Sequence, residues 1–336
     1  MASDADVLTT TGPEPAAAPA PLDTPFATFD NFLPSANVQA LRAAAEAHFR
    51  EPYKHQPDSH HVWNYWYVPG LYTYLRAVPE RVLGRALVMD FYERLRRWSF
   101  EHLGLGHVTW PMLSLYVDGC GQGIHNDSTN GRFGYVFSLT RNDRQGRGGE
   151  TIVWKEGDPF RSRMSRPDAG AGLYDLVPPV FNRLVLFDDR MPHGVQRIEG
   201  NMDPLEGRLV LHGHISEGDA LIQGPLDPQL VKAALLPALD SALNAFPETQ
   251  SLHHGPLTLK LEIGADGAVG TCRPLVNRVA RSDGGDPGPL VARIIEAVGG
   301  LRFPAADRPT QVTFPILTGG VLPVIQQQMR DQARPT

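Results

Sequence analysis

The spacing of apolar positions divides the chain into three regimes. Residues 35–49 are helical in composition, with Ser35 placed to act as an N-cap. A second stripe, Val82, Leu83, Leu87, Val88, Phe91, Leu95 and Trp98, recurs at threes and fours and predicts one long amphipathic helix over 79–103. A stripe of that kind belongs in a core. From Val108 to Ile215 the pattern becomes short strands, among them 112–117, 133–139, 151–154, 184–187 and 206–215, separated by Gly, Pro, Asn and Asp. That is the signature of a β-sandwich or barrel. Past Gly224 a third regime begins: a helix over 226–246, a strictly alternating strand over 257–263, a Gly264–Gly267 turn, a strand to about 279, a helix near 290–298 and a strand over 311–317. This reads as a small α+β module. Residues 1–24, rich in Ala, Pro and Thr, have no period of either kind and are expected to be a disordered tail.

The chemistry concentrates in the strand regime. Tyr116 closes an apolar strand, Gly119, Gly121 and Gly123 read as the turn after it, and His125 and Asp127 follow on what looks like the next strand. Side chains two apart on a strand point the same way, so an imidazole and a carboxylate share a face. His193 arrives much later, after the strand 184–187 and a proline-bounded turn. Together the three make a 2-His-1-carboxylate set, the ligand set suited to non-haem Fe(II). Along 206–215, Arg208, Val210, His212 and His214 share one face and Leu209, Leu211 and Ile215 the other. A guanidinium on the same wall as a metal suits a bidentate grip on a carboxylate. Taken singly, each of these residues has a plainer reading: a turn-proximal polar pair, a surface histidine, core histidines at 212 and 214, a packed tyrosine at 116. Their order along the chain is what favours the metal site.

Those residues carry a resemblance. His125-x-Asp127, Gly148-Gly149-Glu150, His193-x-Val195 and Arg208, preceded by Phe29-Asp-Asn-Phe-Leu-Pro34, resemble the prolyl-4-hydroxylase-like branch of the Fe(II)/2-oxoglutarate-dependent dioxygenases over about residues 26–215. The resemblance implies a double-stranded β-helix (jelly-roll) core with buttressing helices, spanning 25–222. It implies Fe(II) on His125, Asp127 and His193, with 2-oxoglutarate and O2 as co-substrates and ascorbate as an accessory reductant. Arg208, Tyr116 and His212 would contact the oxo acid, which would leave as succinate and CO2 while a C–H bond is hydroxylated. An aspartate at 127 argues against halogenation, since related halogenases carry a small residue there. The segment Glu199–Glu206 lengthens the His193-to-Arg208 spacing beyond what the resemblance implies, which keeps Arg197 as a second candidate for the carboxylate grip. Substrates of that branch include peptides, protein side chains and small molecules. Residues 223–336, through Leu261–Val269 and Leu301-Arg-Phe-Pro304, resemble the carboxy-terminal domain of TonB-type energy transducers, which implies holding a peptide or partner. Two other classes stay open: a zinc hydrolase, since zinc accepts the same ligands, and a non-catalytic β-sandwich binding protein.

Composition narrows the setting. The chain has 336 residues, 42% hydrophobic and 20% charged, as in ordinary globular proteins. A net charge of −6 offers no global attraction to nucleic acid or to an anionic membrane. Two cysteines, Cys120 and Cys272, in different regimes give no disulfide framework, and with no apparent signal peptide a cytoplasmic location is expected. His55, His60 and His61, beside Trp63, Tyr65, Trp66 and Tyr67, read as a surface loop, with lining of a substrate entrance as the alternative. Arg141, Arg144, Arg147, Arg161, Arg163 and Arg166 are mixed with acids and read as solvated loops, while His253 and His254 are assigned to a loop without a role.

Overall fold

The computed structural model describes residues 21–50, 62–155, 173–245 and 252–319. The expectations for His55, His60, His61, Arg161, Arg163 and Arg166, and for most of the amino-terminal tail, lie outside them.

Eight antiparallel strands form a jelly roll. They are β5 (Met112–Tyr116), β6 (Gly121–His125), β7 (Phe133–Ser138), β8 (Thr151–Trp154), β9 (Tyr174–Val177), β10 (Leu184–Asp188), β11 (His193–Val195) and β12 (Arg208–Ser216). One wall has the order β10-β7-β12-β5 and the other β6-β11-β8-β9. Apart from the β8–β9 hairpin, successive strands alternate between the walls, as a double-stranded β-helix requires. At one side the walls are joined by β3 (Tyr72–Ala77), which pairs with both β5 and β6. Ahead of it lie β1 (Phe26–Phe29), on the edge beside β10, and β2 (Trp63–Val68), paired with β3; β4 (His107–Val108) pairs with the end of β12.

Two helical segments cover the β10-β7-β12-β5 wall. In α1 (Ser35–Arg50), Val38, Leu41 and Ala45 are buried. The long helix expected over 79–103 is two: α2 (Pro79–Leu83) and α3 (Arg85–Leu103), separated by Gly84 at φ +82°. That left-handed backbone breaks the i→i−4 ladder, and glycine adopts it freely. The stripe is otherwise as expected, with Val88, Phe91 and Leu95 fully buried and Phe91 packed against Phe137. Ser35 is the first helical residue instead of the cap; the Pro34 carbonyl accepts from the Asn37 and Val38 N–H groups. The aromatic stretch read as loop is β2, an exposed strand missed because Trp63-Asn-Tyr-Trp-Tyr alternates weakly in polarity.

A second hydrophobic core, from Leu226 to Ile316, lies in the carboxy-terminal unit. Its sheet has the order β13-β17-β14-β15, built from β13 (Leu221–Gln223), β14 (His253–Ile263), β15 (Val269–Asn277) and β17 (Thr310–Thr318), with β16 (Ala280–Arg281) beside β14. Helices α4 (Pro228–Asn244) and α5 (Gly288–Gly299) pack on it. Because β13 pairs with β17, this unit begins at Leu221, before Gly224. His253 and His254 belong to β14, not to a loop. Leu22 bridges Val276, so the end of the tail is held against this unit.

The two units meet tightly. Gly104 caps α3 at φ +68°, and a Cβ there would run into the methyl groups of Thr258 and Thr313. The fully buried Asp188, at the end of β10, pairs with Arg190 at 2.5 Å and with Arg278 of the second unit at 3.2 Å. Burial pushes the Asp188 carboxyl up, but the two guanidiniums outweigh it and hold its pKa below the ordinary value.

Candidate metal centre

His125 and His193 are cross-strand partners of β6 and β11, which fixes their rings side by side, 4.5 Å between centroids. His193 also begins its strand instead of ending a turn, and Asp127 lies two residues beyond the end of β6. Its backbone N–H donates to the Asp189 carbonyl at 2.9 Å. Gly121 and Gly123, read from sequence as turn residues, lie within β6. A Cβ at Gly123 would strike the Gly70 carbonyl, and one at Gly121 would come within 3.1 Å of Arg197 Cα, so close backbone approach is what requires glycine here.

Each imidazole is oriented by its own chain. His125 Nδ1 donates to the Gly123 carbonyl at 2.8 Å and His193 Nδ1 to the Met191 carbonyl at 2.9 Å. A carbonyl only accepts, so both Nδ1 atoms carry hydrogen and both Nε2 atoms present lone pairs. Those Nε2 atoms lie 3.8 and 3.5 Å from Asp127 Oδ2, and the three ligand atoms fall within 4.8 Å of one another. Burial lowers the His125 pKa, which favours the neutral ring a cation needs. At Asp127 burial acts upward, but the adjacent His193 and His125 rings outweigh it, and the carboxyl is held below its ordinary pKa. Donor identity, tautomer and convergence all fit a divalent metal of the Fe(II) type.

The triad opens on a cavity of about 570 Å³ between the walls. Arg208, Val210, His212 and His214 all line it, as the alternation of β12 predicts. Arg208 is 2% exposed; its Nη2 donates to Thr151 Oγ1 at 3.1 Å, and its guanidinium lies 4.8 Å from the ring centre of Tyr116, its cross-strand partner. Its Nε has no hydrogen-bond partner, and among the described residues no carboxylate lies within ion-pairing distance of it. Burial lowers the Arg208 pKa and raises that of Tyr116. Arg197, the other candidate, is exposed on the loop after β11 and does not line the cavity. His212 Nε2 is hydrogen-bonded to Ser114 Oγ at 2.7 Å; burial, with Arg76 and Arg208 nearby, pushes its pKa down to about 3, so the ring is neutral.

Several residues of this site were not singled out from sequence. Asp189 is buried, its Oδ2 3.0 Å from His214 Nδ1, and burial raises its pKa to about 6. Arg76, Tyr72 and Tyr74 come from β3, and Gln122 and Thr151 from β6 and β8; Trp66, named in the sequence as part of a loop at a possible substrate entrance, comes from β2 and does line the cavity. Only the strand pairing brings them together. The period-two face of Tyr72, Tyr74 and Arg76 was the available signal.

No family model and no curated protein matches the sequence. Among solved structures, the chain is similar to a prolyl hydroxylase from Trichoplax adhaerens in complex with a hypoxia inducible factor oxygen degradation domain peptide fragment (16% identity, TM-score 0.41, covering 56% of this chain and 82% of that one). It is also similar to a Pseudomonas putida prolyl-4-hydroxylase (19% identity, TM-score 0.40, 58% and 94% covered) and to a 2OG-Fe(II) oxygenase family oxidoreductase from Burkholderia pseudomallei (15% identity, TM-score 0.36, 56% and 82% covered).

Proposed function

We propose that this chain is an Fe(II)- and 2-oxoglutarate-dependent dioxygenase that hydroxylates an aliphatic C–H bond of a peptide, protein side chain or amino-acid-derived substrate. The observation that carries the reading is Arg208. A buried guanidinium without a carboxylate partner is costly, and this one shares a cavity with two imidazoles and a carboxylate whose lone pairs converge. A dicarboxylic oxo acid answers both: one end for the metal, the far carboxylate for Arg208.

In this reading His125, Asp127 and His193 would hold Fe(II), with the oxo acid and O2 as its co-substrates. When bound, the metal and 2-oxoglutarate supply oxidation of a C–H bond coupled to release of succinate and CO2. The chain's part is orientation. The Gly123 and Met191 carbonyls fix the orientation of both imidazoles and aim their Nε2 atoms at the same point. Arg208, steadied by Thr151 and laid over the Tyr116 ring, receives the carboxylate. Neutral His212, tied to Ser114, lines the same wall without adding charge. Asp127 would be a carboxylate ligand where the resembling halogenases carry a small residue, which favours hydroxylation.

A zinc hydrolase would need a general base beside metal-bound water. Among the described lining residues Asp127 is the sole carboxylate and would already be a ligand, and His214 is engaged by Asp189. The second unit is read, from its sequence resemblance, as a holder of a peptide or partner. The test is succinate formation from 2-oxoglutarate. It should require added Fe(II) and vanish in His193→Ala; metal-independent turnover, or full activity in that variant, would refute the assignment.

A further inference from the structure

One cation in the cavity has no task in the reaction just described. Arg76, on β3, lines the same space as Arg208. Its Nε is buried without a hydrogen-bond partner, its Nη2 lies against the Met112 sulfur, a weak acceptor, and among the described residues no carboxylate lies within ion-pairing distance of it. Its guanidinium carbon lies over the Trp66 ring, 4.5 Å from the ring centre, and Trp66 in turn stacks on Tyr74.

Depth separates the two arginines. Arg208 is sealed in the interior, whereas Trp66 lines the cavity and is still 42% exposed, so the Arg76 wall reaches the mouth. Charge separates them too. Among the described residues, the lining carries two guanidiniums and the single carboxylate of Asp127. A divalent metal on Asp127 together with Arg208 is neutralised by the dianion of 2-oxoglutarate. Arg76 is then left as an uncompensated cation in a partly desolvated site, an arrangement that favours an anion.

We propose that Arg76 seats a carboxylate of the substrate, and that the substrate is a small organic acid whose apolar or aromatic body lies along Trp66, Tyr72 and Tyr74. Tyr72 makes an edge-on contact with the His125 ring, 5.4 Å between centroids, so that body runs from the mouth toward the metal. A cavity of about 570 Å³ is of small-molecule size. This deepens the dioxygenase reading and rests on it for the assignment of Arg208 to the oxo acid.

The experiment is anaerobic calorimetry of the full-length, Fe(II)-loaded protein saturated with 2-oxoglutarate, titrated with hippurate and with its neutral amide, hippuramide. The acid should bind roughly tenfold to a hundredfold more tightly, the range of a charge-assisted hydrogen bond. Arg76→Met should erase the difference and Arg76→Lys restore part of it, while both still bind 2-oxoglutarate. Equal affinity for acid and amide, or affinity for neither, overturns the proposal without any variant. So does loss of 2-oxoglutarate binding in Arg76→Met, which would make Arg76 an oxo-acid ligand. Failure of the wild type to bind 2-oxoglutarate at all would instead refute the dioxygenase reading.

Discussion

Arg208 carries the most consequential prediction at the level of single residues. Arg208→Met keeps the side chain's bulk and removes its donors, so the KM for 2-oxoglutarate should rise roughly tenfold to a hundredfold, measured by succinate release. Arg197→Met, on the exposed loop, should leave that KM unchanged. The residues that alternation and order could identify, His125, Asp127, His193 and Arg208, come together around one cavity. Arg76 and Asp189 did not stand out in the sequence, and Trp66 stood out there only as part of a surface loop. Their environments depend on partners far along the chain: Met112 for Arg76, Tyr74 for Trp66, His214 for Asp189. No local pattern encodes such a contact.

At the scale of elements, β6 depends on glycines for its approach to the Gly70–Leu71 backbone and to β11. Gly123→Ala would force the new methyl against the Gly70 carbonyl. Overpacking of that kind costs about 1–3 kcal/mol. Since the Gly123 carbonyl also orients His125, the variant should bind Fe(II) more weakly as well as unfold at lower urea; unchanged metal affinity would show that β6 does not position the ligand. These glycines look like turn residues in sequence because turn and close approach select the same amino acid. Gly84 shows the reverse ambiguity: the helical stripe runs through it, and only its positive φ ends α2. The exposed β2 was missed for a related reason, since a strand with most of its side chains in solvent has no apolar face to alternate.

The whole molecule is organised so that the second unit buttresses the turn that leads into His193. Asp188, Arg190 and Arg278 form one buried ion cluster, and Arg190 also donates to the carbonyls of His254 and Arg278. Asp188→Asn leaves two guanidiniums without their buried counter-charge and should destabilise the protein by about 3–5 kcal/mol, read by urea unfolding at pH 7. The sign with pH follows from the depressed pKa of Asp188. Its contribution is fully present above the unfolded carboxyl value, near pH 4, and is lost as pH falls through the lower folded value. Wild type and Asp188→Asn should therefore converge in stability under strong acid. Among the described residues no helix is long and apolar enough to cross a membrane. The division into a strand-rich part and a later α+β part follows the change of hydrophobic period, whereas the docking of one on the other through Gly104, Asp188 and Leu22 has no periodic signature. The most direct test of the central claim is anaerobic calorimetry of 2-oxoglutarate binding with and without Fe(II). The account predicts binding that requires the metal, is abolished in His193→Ala and is weakened at least tenfold in Arg208→Met. Binding that ignores the metal, or survives both substitutions, would contradict it.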